Sequence, residues 1–282
     1  MTDRKKIFRY PGSKTKVVPE IIGYLPKNYA DMCWVDAFGG SGIVSYYKKE
    51  SKLEVFNDLD EGISAIFYCL LFKFEELIWR LRWEQHSEVI LRWINKPTHL
   101  NEHSSVVDKA ISKLYQLRYT FGGKVPNNAP SFTKNVDYFE TKSFDTYFRI
   151  LDLDIWLKWQ KRFKSFQIMG RTAVRVIKSF DTKDMIVYCD PPYIVSEKGK
   201  HYQINFTEED HIELAETLKG IEGKFLLSYD DKPLIHELYA DYNIIDFMIP
   251  YSLASKERTL KKELLIANYP LEKQKKLEEF IK

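Results

Sequence analysis

Apolar residues are spaced in two ways along this chain. Near the start and again after residue 180 they form short runs, at 33–38, 53–56, 185–188, 225–228, 243–249 and 263–267, bounded by Gly, Pro, Asn or Asp. Runs of that length with such punctuation read as strands, several of them buried on both faces. Between and around them apolar positions recur every three to four residues, which predicts helices at 17–22, 43–49, 106–119, 145–163 and 233–239. Ile66, Leu70, Phe74, Leu77 and Leu81 mark one long helical stretch from 62 to about 93, with Trp79, Trp83 and Trp93 read as part of its packed side. Thr207 before Glu208, Glu209 and Asp210 is a helix-start signal. Strands alternating with helices, interrupted by a mainly helical middle, predict an α/β fold with an insertion.

The strand ends carry the candidate chemistry. The run 33–38 enters Gly39-Gly40-Ser41-Gly42 and then a helix, a strand, glycine turn and helix in which the backbone can approach a ligand at a helix N-terminus. It lacks the GxGxxG spacing, and no Walker lysine follows, which argues against a nucleoside triphosphatase. The run 53–56 ends in Asn57-Asp58, and an acid about twenty residues after the first strand is where such folds hold a ribose. The run 185–188 ends in Cys189-Asp190-Pro191-Pro192-Tyr193, an acid in a rigid turn beside an aromatic ring. The N-terminal octamer 7–14 is a turn holding Phe8, Tyr10 and Lys14, read either as the lead-in to a first helix or as a loop bringing a ring and a cation to a ligand.

Composition sharpens this only locally. The net charge of +3 is the small difference between 43 basic and 40 acidic residues, so overall charge identifies no partner. From 155 to 178, however, Lys158, Lys161, Arg162, Lys164, Arg171, Arg175 and Lys178 occur with no acid, interleaved with aromatics. That bias suits a phosphate backbone, although a solvated helix face would carry the same pattern. The Gly-, Pro- and Asn-rich segment 120–131, flanked by Arg118, Lys124 and Lys134, reads as a binding loop or an exposed hairpin. His99 and His103 sit in a turn-rich stretch and read as loop histidines rather than metal ligands. Cys33, Cys69 and Cys189 lie in apolar surroundings without metal spacing, as expected of thiols in a reducing cytosol. No apolar run reaches the ~20 residues of a membrane span.

Taken together and in order, Arg9-Tyr10-Pro11-Gly12-Ser13-Lys14, Asp36-Ala37-Phe38-Gly39-Gly40-Ser41-Gly42, Asn57-Asp58, Asp190-Pro191-Pro192-Tyr193 and Lys262-Glu263-Leu264-Leu265-Ile266-Ala267-Asn268-Tyr269 resemble the motifs of Dam-like DNA adenine-N6 methyltransferases with an internal target-recognition domain. The resemblance implies a Rossmann-like S-adenosylmethionine-dependent methyltransferase fold with a mixed, mostly parallel sheet. It implies a catalytic domain at 1–71 and 166–282 and a DNA-binding insertion at 72–165. Asp190, Pro191, Pro192 and Tyr193 would be catalytic. Tyr10, Gly12, Lys14, Asp36, Phe38, Gly39, Gly40, Ser41, Gly42 and Asp58 would surround S-adenosylmethionine, released as S-adenosylhomocysteine. Arg118, Lys124, Asn127, Asn128 and Lys134, with Lys158, Lys161 and Arg162, would face DNA. Double-stranded DNA is the expected partner, with no metal, membrane or obligate protein partner, in a bacterial or phage-host cytosol.

Two departures from the family pattern stand out. Gly122-Gly123 replaces an Asn-Gly pair, and no acid lies between 155 and 180 to meet the adenine of the cofactor, which leaves backbone groups or Asp181 for that role. RNA methylation and a non-catalytic DNA-binding protein on the same fold are the alternative readings.

Overall fold

The computed structural model describes residues 6–83, 104–119, 152–193, 206–250 and 260–274. The predicted loop 120–131, His99, His103, Lys124, Asn127, Asn128, Lys134 and the ends of the helices expected to reach 93 and begin at 145 lie outside them. Contacts divide the chain into two units, residues 14–59 with 169–282, and residues 1–13 with 60–168. The division falls at 60 and 168, whereas the sequence reading drew it at 72 and 165.

The first unit is built on a sheet ordered β3-β2-β1-β4-β5-β7-β6. Its strands are β1 (Cys33–Asp36), β2 (Leu53–Asn57), β3 (Phe166–Met169), β4 (Met185–Cys189), β5 (Lys224–Asp230), β6 (Asn243–Pro250) and β7 (Leu260–Ala267). β1 pairs in parallel with β2 and β4, and β4 with β5, whereas β7 runs antiparallel between β5 and β6. This is a mixed α/β sheet of the Rossmann-like methyltransferase kind. Every residue of β4 is buried, as its unbroken apolar run requires of a central parallel strand. On one face Val35, Val187, Leu227 and Ile266 pack with Val176 of α7 (Ala173–Phe180) and Leu214 of α8 (Glu208–Lys219). α8 opens with a capping box in which Thr207 Oγ1 accepts from the Asp210 N–H at 3.3 Å and Asp210 Oδ2 accepts from the Thr207 N–H at 2.7 Å.

Two buried polar knots hold this unit. Lys48, wholly buried, donates to Glu54 Oε1 at 2.6 Å and to Ser51 Oγ at 2.9 Å, with its ammonium 4.7 Å from the Trp34 ring centre. Asn57 closes the other end of β2. Its amide nitrogen donates to the carbonyls of Ala37 and Arg171, both at 2.9 Å, and its amide oxygen accepts from the Arg171 N–H at 2.9 Å. One residue on, the Asp58 N–H donates to Met169 O at 3.3 Å, so the chain leaving after β2 and the chain returning after β3 are stitched together.

The second unit is helical, with α3 (Glu61–Phe72), α4 (Phe74–Trp83), α5 (Val106–Tyr119) and α6 (Leu153–Phe163). The single helix expected from 62 is two, because α3 ends at Lys73 and α4 restarts beside it. Ile66, Leu70, Leu77 and Leu81 are buried as the stripe predicts, but Trp79 is 60% exposed. Trp79 lies two positions beyond Leu77 and so turns away from that stripe. On α6, Trp156, Trp159 and Phe163 are buried. Phe163 lies 4.8 Å from Phe67 of α3 and 4.4 Å from Phe166 between ring centres. No helix among the described residues is long and apolar enough to cross a membrane.

Candidate active site

Three acids stand at the carboxyl ends of adjacent parallel strands: Asp36 closes β1, Asp58 follows β2 and Asp190 follows β4. This edge is where open α/β sheets bind ligands. The glycine turn after β1 is shaped by close approach and by backbone sign. Gly40 and Gly42 have φ of 48° and 66°, in the left-handed region that side chains disfavour. A Cβ on Gly39 would lie 2.2 Å from the Phe56 ring. The Gly39 N–H donates to Asn57 O at 2.7 Å and the Gly42 N–H to Gly39 O at 2.8 Å. Asp58 Oδ2 accepts from the Gly40 N–H at 2.7 Å, so the acid expected at a ribose also braces the glycine turn.

Asp36 is a buried acid with a raised pKa. Its Oδ2 accepts from Ser45 Oγ at 2.6 Å, and Ser45 accepts from the Trp34 indole at 2.8 Å, whereas Oδ1 is buried with no hydrogen-bond partner. Burial pushes the carboxyl up to about 7, with Ser45 opposing and the charges of Asp190 and Asp58 adding to the rise. A buried acceptor without a donor, beside a turn that admits no side chain at Gly39, suits a ligand carrying an ammonium or hydroxyl. Ser41 is buried in the same turn and Phe38 half-buried, its ring 5.7 Å edge-on to Phe206.

Around Asp190 the arrangement is ionic. Lys14, 4% exposed, donates to both carboxylate oxygens, at 2.6 and 2.8 Å, and to Tyr193 Oη at 2.7 Å. Tyr193 in turn donates to Glu263 Oε2 at 2.5 Å, and that oxygen is 3.6 Å from Lys14 Nζ. Burial raises the Asp190 pKa, Lys14 pulls it back, and Glu263 adds to the rise. Burial and the two neighbouring carboxylates push the Tyr193 phenol well above its usual value, so it remains a donor. Pro191 is buried and Pro192 half-buried, and both precede a ring fixed through its hydroxyl.

A family profile described as D12 class N6 adenine-specific DNA methyltransferase matches residues 10–249. The chain belongs to this family. Among relatives of this D12-class enzyme is the type II methyltransferase M1.LlaDCHI of Lactococcus lactis subsp. cremoris, 25% identical over 93% of this chain and 94% of the relative. The retron Ec67 DNA adenine methylase of Escherichia coli is 27% identical over 84% of this chain and 81% of its own. An Escherichia coli DNA adenine methylase is 22% identical over 95% of this chain and 96% of its own.

The D12-class chain is thus a DNA adenine methyltransferase, and the structure shows the surroundings of several residues singled out in its sequence. Lys14, expected near the cofactor, is bonded to Asp190. Tyr10 and Gly12 form a turn in which Pro11 precedes Gly12 at φ 74° and the Ser13 N–H donates to Tyr10 O at 3.2 Å. Lys158 and Lys161 are exposed on α6. Arg162, expected at DNA, is 3% exposed with its guanidinium 4.9 Å from the Phe166 ring centre, a packed position that presents no charge to a phosphate. Asp181, offered as an alternative partner for the cofactor adenine, precedes β4 at the opposite edge of the sheet from Asp190. Its carboxylate accepts from the N–H groups of Glu222 and Gly223 at 3.1 Å. Sequence reasoning placed Glu263 only within a motif and missed Ser45. The signal for Glu263 is an acid opening an otherwise apolar run, Glu263 to Ala267.

Proposed function

We propose that this enzyme transfers a methyl group from S-adenosylmethionine to N6 of a flipped adenine at a defined sequence in duplex DNA. The observation that carries the reading is Asp190, a half-buried acid just past the carboxyl end of the central strand, beside a glycine turn with an unpartnered acceptor at Asp36. The methyl donor supplies an electrophilic methyl on a sulfonium, which departs as a neutral thioether. The glycine turn 39–42 would hold its methionine part, with Asp36 Oδ1 meeting the ammonium and Asp58 the ribose hydroxyls.

Adenine N6 is a weak nucleophile because its lone pair is delocalised into the ring. Asp190 and the Pro191 carbonyl would each accept one N6 hydrogen, letting the nitrogen pyramidalise and aim that lone pair at the methyl. The N–C bond would form as the C–S bond broke, that bond's electron pair going to sulfur and one N6 proton passing through Asp190 to solvent. Such a displacement needs positioning and charge stabilisation more than a strong base. Extruding the base costs roughly a few kcal/mol, and stacking on Tyr193, at roughly 1–3 kcal/mol per base on aromatic platforms, offsets part of that. The helical unit, 60–168, would read the duplex, with Lys158 and Lys161 on its phosphates.

The test is incubation with tritiated S-adenosylmethionine and either unmethylated duplex DNA or RNA. N6-methyladenine in the duplex is the expected product. Label only in RNA, or in cytosine, overturns the reading. Asp190→Ala should lower transfer at least about a hundredfold while calorimetry shows cofactor affinity retained; an equal loss of affinity would remove Asp190 from the nucleophile.

A further inference from the structure

The carboxylate that N6 needs at Asp190 already has a cation bound to it. Lys14 spans both carboxylate oxygens. A lysine ammonium has three hydrogens and no acceptor, and the third points to Tyr193 Oη. Each oxygen keeps a second lone pair for an adenine amine, but on a carboxylate whose charge the ammonium already neutralises. As N6 takes on positive charge during transfer, an ammonium in contact with the same carboxylate would repel it. The lysine therefore has to yield Asp190, and a buried cation cannot be left without a counter-charge.

Glu263 is the group in reach. It sits on β7 in register with Asp230 of β5 and Phe247 of β6, is 5% exposed, and has one oxygen 3.6 Å from Lys14 Nζ. That separation is an ion pair not yet closed to hydrogen-bond length. Tyr193 bridges the two, accepting from Lys14 and donating to Glu263. We propose that Glu263 is a positioning residue that receives the Lys14 ammonium when adenine N6 engages Asp190, so that Lys14 guards the catalytic carboxylate before substrate arrives and releases it afterwards. The inference rests on the reading of Asp190 as the acceptor of an N6 hydrogen. It goes beyond it by giving Lys14 two stations and Glu263 a task.

Glu263→Gln keeps the shape and an acceptor for Tyr193 but removes the charge. Single-turnover methylation of duplex DNA should fall on the order of a hundredfold, with cofactor affinity by calorimetry unchanged. Among the described residues, the charged and titratable groups beside Asp190 include Lys14, Glu263, Tyr193 and Asp36, with neutral Cys189, Tyr188 and Tyr229 nearby. Since the Glu263 charge raises the Asp190 pKa, its removal should move the acid limb of the rate profile to lower pH even as the plateau drops. A merely structural role would lower the plateau and leave the limb in place.

In a Lys14→Met background there is no ammonium to relocate, so adding Glu263→Gln should cost less than about threefold, a departure from additivity of more than tenfold. Once the wild-type methylation site has been mapped by sequencing, 2-aminopurine at that position reports base capture without cofactor, and Glu263→Gln should reduce it. Glu263→Asp, which restores the charge, should recover part of both signals, and it serves alone if the glutamine variant does not fold. Additive losses with an unmoved acid limb overturn the inference while wild-type methylation of adenine leaves the function standing. A wild-type chain that methylates no adenine overturns both.

Discussion

Replacing Gly39 by alanine tests the glycine turn where its geometry is tightest. Gly39 is not one of the left-handed glycines, so the substitution adds bulk without backbone strain. The new Cβ would meet three Phe56 ring carbons at 2.2, 2.3 and 2.8 Å. Ordinary carbon contacts lie at about 3.5–4.0 Å, so ring and turn must part by more than roughly 1 Å. Phe56 is fully buried on β2 and has no free side to move into. Overpacking of this kind costs about 1–3 kcal/mol, and weakening the Gly39 N–H bond to Asn57 O adds about 0.5–1.5 kcal/mol. Urea unfolding should therefore show Gly39→Ala destabilised by about 2–4 kcal/mol, and calorimetry should show S-adenosylmethionine bound about tenfold or more weaker, since each factor of ten is only 1.4 kcal/mol. Phe56→Leu removes the ring edge at about 1 kcal/mol of its own, and in combination should recover stability and affinity. Losses that add to within about 0.5 kcal/mol would show that the two groups do not meet and refute the reasoning.

Three further outcomes follow from the geometry. Lys48→Met strands the wholly buried Glu54 charge and should cost about 3–5 kcal/mol in urea unfolding, whereas Lys48→Met with Glu54→Leu should recover most of it; equal losses would mean the pair is not coupled. Burial raises the Asp36 carboxyl to about 7. A raised acid favours the folded state below its unfolded value and loses that contribution as pH rises through the folded one. The wild type should thus lose stability relative to Asp36→Asn between pH 5 and 8, by on the order of a few kcal/mol, and parallel profiles would contradict this. Lys158→Gln with Lys161→Gln should lower the salt slope of duplex binding by about 1 to 2 while Arg162→Gln leaves the slope unchanged and lowers stability; a slope change for Arg162 alone would reverse the assignment.

Strands and the Asp190–Tyr193 turn were legible because burial on both faces leaves an unbroken apolar signature, as in Met185–Cys189, and because Pro191 and Pro192 admit few backbone shapes. The glycine turn was legible as a turn between strand and helix, though not the reason for Gly39, which depends on a ring seventeen residues away. What the sequence concealed was pairing across long separations. Lys14 meets Asp190 from 176 positions away, and Glu263 joins them because β7 is inserted antiparallel between β5 and β6. Arg162 misled because a basic run does not record which of its members faces inward. Trp156 and Trp159 beside it are core, so the aromatic half of the apparent phosphate pattern belongs to packing.

The Asn57 clasp bears on how the family can diversify. With Asn57 gripping Arg171 and Asp58 bonded to Met169, the hundred or so residues between them leave and re-enter the sheet unit at one fastened point. β1 and β4, about 150 residues apart in sequence, are paired regardless of what the excursion contains. Doubling the length of such an excursion costs only about 0.6 kcal/mol in closure entropy. Insertions, deletions or wholesale exchange of the segment are thus nearly free for the transferase beneath it. On the function proposed above, with the excursion reading the duplex, a lineage carrying this clasp could change the word it reads in DNA without renegotiating the reaction it performs.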